Sequence, residues 1–226
     1  MEPHVPFRQE IQLMPTTLLS SAYLPPISFF TAINSGGDVL IEQYDNYCKQ
    51  TYRNRCRIAT ANGIQTLTIP VVKTDSPKQI MKDVRISDHG EWRRQHWNAL
   101  ESAYMNSPFF MYYQDDFRPF YEKKYEFLID FNTELTLLIL KLAGIKKELR
   151  LTGSYGNTES GNQGFTDLRY LIEPGKGEME KPKEYWQVFK QKYGFIGNLS
   201  AVDLLFNMGP EFPMQLGTVP FCTCIF

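Results

Sequence analysis

Residues 17–43 read TLLSSAYLPPISFFTAINSGGDVLIEQ, and this stretch decides the fold class. The run 17–24 (TLLSSAYL) is short and apolar and is halted by Pro25-Pro26, which marks a strand followed by a turn. Residues 27–34 (ISFFTAIN) have the length of a short helix, closed by Gly36-Gly37. Residues 38–43 (DVLIEQ) return to strand composition. A β-α-β opening of this kind is the signature of α/β architecture, with a mixed α+β fold as the alternative.

Working outward, residues 53–61 and 64–72 flank Asn62-Gly63, the pair preferred in type I′ hairpin turns. A two-residue loop there sets Ala61 opposite Ile64, Ile58 opposite Leu67 and Cys56 opposite Ile69. Asn54, Cys56, Ile58, Leu67, Ile69 and Val71 then share an inward face, and Arg53, Arg55 and Arg57 share the other with Thr66 and Thr68. Residues 83–86 read as a further short strand. Helices are expected over 88–106, 125–142, 184–192 and 200–207, with a strand starting near 150–152 and a mobile Gly-rich loop over 153–164. We expect an irregular lead-in (1–15), one domain over 16–210 and an irregular tail (211–226), with no internal repeat.

Composition narrows the function classes. The 226 residues carry 24 Lys+Arg against 25 Asp+Glu, a net charge of −1, which argues against a dedicated duplex-binding protein. Hydrophobic residues at 42% and charged ones at 22% describe an ordinary globular chain rather than a disordered one. Four cysteines and three histidines fit no common zinc spacing, so no metal is expected. The start, MEPHVPFRQE, lacks an apolar signal core, and the most apolar stretch, 127–142, is too short to span a bilayer, so the expected location is cytoplasmic. No G-x-G-x-x-G, P-loop, G-x-S-x-G or H-E-x-x-H is present, and no cofactor is expected.

The average charge conceals a concentrated strip. Residues 46–74 contain no Asp or Glu but hold Lys49, Arg53, Arg55, Arg57 and Lys73, leaving 19 positive against 25 negative charges elsewhere. Guanidinium forks match phosphate and carboxylate bidentately, so Lys49, Arg53, Arg55 and Arg57 are candidates to bind an anionic small molecule. Arginines paired with acids such as Asp115-Asp116 are the structural alternative. His96 shares a helical face with Trp92, Ala99, Leu100 and Ala103, and is the candidate general base, or a packed core histidine. Cys56, on the apolar hairpin face, is expected to be inert packing. Asp203, three residues after Ser200, reads as a capping-box position. Residues 92–131 hold 13 of the 32 aromatics, an arrangement that an amphipathic helix pair with an aromatic core explains.

Several segments taken together resemble the WbqC-like protein family: AYLPPISFF (22–30), KQTYRNRCRI (49–58), LTIPV (67–71), DVRIS (83–87), WRRQHWNALESAYMNSPFF (92–110) and YWQVFKQKYGFIGNLSAVDLLFNMGP (185–210). The resemblance covers roughly residues 20–210. It implies a bacterial protein of surface-polysaccharide (O-antigen) biosynthesis, with a glycine-transferring role. Lys49, Arg53, Asn54, Arg55, His96 and Asp203 fall on its motif positions and become site candidates. Cys56 departs from the family pattern after Arg-Asn-Arg, and residues 212–226 match nothing in it. The expected function is therefore an acyl or aminoacyl transferase acting on an amino sugar. In it Arg53, Arg55 and Arg57 hold an anionic donor, His96 takes the amine's proton, and Asn54 orients a carbonyl or hydroxyl. The alternatives are a non-catalytic module that binds an anionic metabolite, or a structural partner docking through its aromatics.

Overall fold

The computed structural model describes residues 15–74, 78–156, 165–175 and 183–217. The opening folds as expected: β1 (Thr16–Ser20), α1 (Ile27–Ser35) and β2 (Val39–Glu42) form a β-α-β unit. Pro26 occupies the N-cap of α1, where its missing N–H costs no helical hydrogen bond. β1 and β2 are the inner strands of a four-stranded, all-parallel sheet ordered β5-β2-β1-β6, with β5 (Leu149–Leu151) and β6 (Phe165–Asp167) at its edges. Thr16, Thr17, Leu18 and Leu19 are all buried, as a central parallel strand covered on both faces requires. The architecture is mixed α/β.

The hairpin of β3 (Arg55–Thr60) and β4 (Gly63–Thr68) forms a separate two-stranded sheet, with a register different from the expected one. Thr60 pairs with Gly63, Ile58 with Gln65 and Cys56 with Leu67, so the loop is Ala61-Asn62. Only Gly63 takes a left-handed backbone (φ 99°), whereas a type I′ turn on Asn62-Gly63 needs both residues there. The shift is even, so the faces survive. Cys56, Ile58, Leu67 and Ile69 are buried, while Arg55, Arg57, Thr66 and Thr68 lie on the outer side.

Helices α2 (Trp92–Tyr104), α3 (Phe110–Glu122), α4 (Leu128–Leu142) and α6 (Ala201–Met208) build an aromatic core around Phe206. The Phe206 ring lies 5.2 Å from Tyr104, 5.1 Å from Phe110 and 5.2 Å from Phe117. α3, absent from the expected elements, carries Pro119 in its last turns and buries Phe110, Phe117 and Tyr121 on one stripe. The helix expected over 184–192 shrinks to α5 (Lys190–Tyr193), because Tyr185 and Gln187 alternate inward to bond Asp203. Where a strand was expected over 83–86, the chain makes a 3₁₀ turn (Met81–Asp83) and two isolated bridges. The short α7 (Phe212–Gln215) brings Phe212 edge-on to Phe30 of α1.

Candidate functional site

In open parallel sheets, ligands bind outside the carboxyl ends of the strands. Here those ends gather charge. Ser20 closes β1, Glu42 closes β2, Thr152 follows β5, and Asp167 closes β6 with Arg169 just beyond. Because all four strands are parallel, these residues lie along one edge of the sheet.

Arg53 reaches this edge from the turn that precedes β3. It is 2% exposed and was expected on the outer hairpin face with Arg55 and Arg57. Placed two residues ahead of the strand, it does not follow the strand's alternation. Its Nη2 lies 2.5 Å from Asp45 Oδ2 and 2.9 Å from Ser20 Oγ, which in turn donates to the Arg169 carbonyl at 2.9 Å. Glu173 is 4.0 Å from Nη1, and the Tyr170 ring is 5.8 Å from the guanidinium. Asp45 Oδ1 and Arg53 Nε are buried and make no hydrogen bond among the described residues. Burial raises the Asp45 carboxyl above the usual range, and the Arg53 charge opposes that shift.

A second guanidinium holds the other side. Arg169 forks onto Asp167 (Nε–Oδ1 3.0 Å, Nη2–Oδ2 2.6 Å), reaches Glu42 at 3.1 Å and lies over the Tyr155 ring at 5.1 Å. Glu42, fully buried, also accepts from Thr152 Oγ1 at 2.8 Å and from the backbone N–H of Tyr44 and Gly156, both at 2.9 Å. Between the two arginines lies a narrow pocket of about 10 Å³, room for about one water, lined by Ser20, Thr51, Arg53, Arg169, Leu168 and Phe29 among others. Among the described residues, four carboxylates (Glu42, Asp45, Asp167 and Glu173) face two guanidiniums, a balance that suits an amine better than an anion.

The sequence candidates therefore separate. Lys49 is exposed. Asn54 is buried, and its Nδ2 donates to the Ile69 carbonyl at 2.9 Å, a bond that ties the turn to β4. Arg55 and Arg57 lie half-buried on the outer hairpin face without an acidic partner among the described residues; no pair to Asp115 or Asp116 forms. Arg55 Nε is buried and unbonded. Burial raises the Tyr47 hydroxyl above its ordinary pKa, and the charges of Arg55 and Arg53 oppose that shift.

His96 is 5% exposed within the aromatic core. Its Nδ1 meets the Tyr23 hydroxyl at 2.9 Å, and the Trp92 ring stands edge-on at 5.2 Å. Burial holds its pKa down at about 4, so the imidazole is neutral at physiological pH. Cys56 is fully buried and its thiol is pushed upward by desolvation, in keeping with packing. Cys222 and Cys224 lie outside the described residues, as do residues 157–164 of the loop expected over 153–164. Asp203 corrects the capping-box reading: no side chain caps α6, and its buried carboxylate instead accepts from Tyr185 at 2.6 Å and Gln187 at 2.9 Å.

Sequence reasoning missed Asp45, Glu42, Asp167 and Arg169. The available signal was the β-α-β opening itself, which marks strand carboxyl ends as places to look for polar residues. Among the described residues no cluster of three or more His, Cys, Asp or Glu side chains could hold a metal, and no helix is long and apolar enough to cross a membrane.

The family model described as "WbqC-like protein family" matches residues 20–173, a span that runs from Ser20 to Glu173 and so contains every crevice residue named above. The uncharacterized protein Rv1507c of Mycobacterium tuberculosis is 27% identical over 222 residues, covering 88% of this chain and 96% of its own. No solved structure matches.

Proposed function

This chain belongs to the WbqC-like protein family, and from that premise we propose that it is a transferase that moves an acyl or aminoacyl group of glycyl type onto the amine of an amino sugar in bacterial surface-polysaccharide biosynthesis. One observation carries the reading: carboxylates gathered around Arg53 and Arg169 at the carboxyl edge of a parallel sheet, with Asp45 Oδ1 and Arg53 Nε left unbonded. An ammonium group finds its counter-charge there. A carboxylate whose pKa is raised by burial is also a better base than an ordinary one. In this scheme Asp45 accepts the acceptor's proton as the amine nitrogen attacks the donor's acyl carbon. The bond from that carbon to its carrier breaks, and the carrier leaves with the electron pair. Arg53 steadies the developing oxyanion, and Arg55, Arg57 and Lys49 attract the anionic part of the donor.

The test is mass spectrometry of amino-sugar nucleotides incubated with the protein and an activated glycine. A product bearing one glycyl group, absent with Asp45→Asn, supports the proposal; no product from a folded parent rejects it. The role of His96 as base is separated by His96→Gln. A drop in turnover with unchanged thermal stability keeps it in the reaction, and parallel loss of both makes it packing.

A second reading, a non-catalytic module for an anionic metabolite, draws on Arg55 and Arg57 having no acidic partner among the described residues. Calorimetric titration of sugar nucleotides and amino acids into the parent and Arg55→Ala decides it. Unchanged binding of any ligand found for the parent removes the strip from the site.

A further inference from the structure

The hairpin leaves one sheet edge open. β3 and β4 form a sheet of their own, and no further strand joins it among the described residues. The outer edge of β3 is in use, because the Arg57 carbonyl accepts from the Ser200 N–H at 2.8 Å. On β4 the register decides which backbone groups point outward. The Ile69 N–H donates to the Asn54 carbonyl at 2.8 Å, so residues 63, 65, 67 and 69 turn their backbone groups toward β3 and its lead-in. Ile64, Thr66 and Thr68 turn theirs away.

α2 closes this edge at Thr68, whose carbonyl accepts from the His96 ring. The N–H and C=O groups of Ile64 and Thr66 have no partner among the described residues. They stand in the open: Ile64 is 45% exposed, and Gln65 and Thr66 are exposed as well. Proteins guard such an edge with a charge, a proline or a bulge. Residues 58–69 (IATANGIQTLTI) hold neither a charge nor a proline, and the β3–β4 register runs without a bulge.

We propose that this edge pairs with the same edge of a second copy, antiparallel across a two-fold axis at Gln65. Ile64 of each copy then exchanges two backbone hydrogen bonds with Thr66 of the other, which satisfies every outward group of both residues. The open stretch selects a second copy because it is short. α2 meets the edge at Thr68, so a partner strand must stop opposite that point. β4 does: the residue opposite Thr68 is Asn62 of the other copy, in the turn that carries the chain away. A long extended peptide has no such stop.

Charge does not oppose the pairing. The chain's net charge is −1, and Arg57 of one copy lies about 14 Å from that of the other, three strand spacings, beyond the Debye length at physiological salt. The outer face of the joined sheet carries Arg55 and Arg57 from both copies. So short a ladder buries less than a permanent dimer does, and the association is reversible. The inference does not depend on the transferase reading.

Sedimentation velocity of the full chain from micromolar to submillimolar concentration tests the proposal; the mean mass rises toward the dimer. Thr66→Pro removes an outward N–H that β3 does not use, and Gln65→Lys sets two ammonium groups face to face at the axis. Each weakens association by about tenfold or more while the far-UV dichroism stays that of the parent. Gln65→Cys cross-links under oxidised glutathione, since a non-hydrogen-bonded pair holds its Cα atoms about 4.5 Å apart, within disulfide reach. Mass spectrometry locates that bond between the two introduced residues. A monomer at every concentration overturns the proposal. So does association that either folded variant leaves unchanged, or Gln65→Cys cross-linking no faster than that of Thr66→Cys.

Discussion

Arg53 shows how much one position changes when the chain turns beside it. Counted along an extended strand, it joins Arg55 and Arg57; in the fold it leaves them and becomes the buried partner of Asp45. A buried ion pair gains little over an apolar replacement, but removing one half leaves the other desolvated and alone. Arg53→Ala should therefore cost about 3–5 kcal/mol of stability in urea unfolding, against less than about 1 kcal/mol for a surface arginine such as Arg94→Ala. The double variant Arg53→Met/Asp45→Leu should recover most of that stability. A loss below about 1 kcal/mol in Arg53→Ala would mean that the pair is not closed off from water. The residue's importance was legible from its place in an acid-free run; its partner was not, because Asp45 belongs to a loop with no motif of its own.

At the scale of elements, the hairpin was legible and its turn was not. Alternation fixes which side chains share a face, whereas turn type depends on which residue accepts a left-handed backbone, and here Gly63 alone does. Nothing lies within 4 Å of a Cβ built on Gly63, so Gly63→Ala meets only backbone strain and should cost about 1 kcal/mol. Gly209, at the end of α6, has a φ of 51° and a Cβ there would lie 2.6 Å from the Phe109 ring. Gly209→Ala should lower stability by about 2 kcal/mol or more, since overpacking adds to the strain. Thermal melts of the two variants, read side by side, check the order; equal losses would contradict it. α3 escaped the sequence for a similar reason: Pro119 and a dense aromatic run obscure the pattern, and packing on Phe206 overrides them. The 184–192 segment failed in the opposite sense, because its helix-compatible residues are recruited singly by Asp203.

Over the whole molecule, buried titratable groups shape the response to acid. The His96 pKa falls from its ordinary 6.5 to about 4 on folding. The folded state thus binds fewer protons in that window, and the stability present above pH 6.5 is lost as pH falls toward 4. The loss is about 2 kcal/mol by pH 5. Asp45 and Asp203 have the opposite sign: their carboxyls are raised by burial, so the cost of ionising them in the fold relaxes as they protonate in acid. Urea unfolding of the parent and His96→Gln at pH 7 and pH 5 isolates the histidine; the parent should lose about 2 kcal/mol more than the variant. Equal losses would place His96 in contact with water. The α/β class was legible from the first β-α-β unit, but β6 was not, being three paired residues next to a Gly-rich loop. That strand nonetheless decides when the site exists. β1 and β6 pair Thr17 with Thr166 across the span of the chain. On the ribosome, Ser20, Asp45 and Arg53 emerge early and wait for Asp167 and Arg169, so a nascent or prematurely terminated chain carries an unfinished crevice until most of the protein has been made.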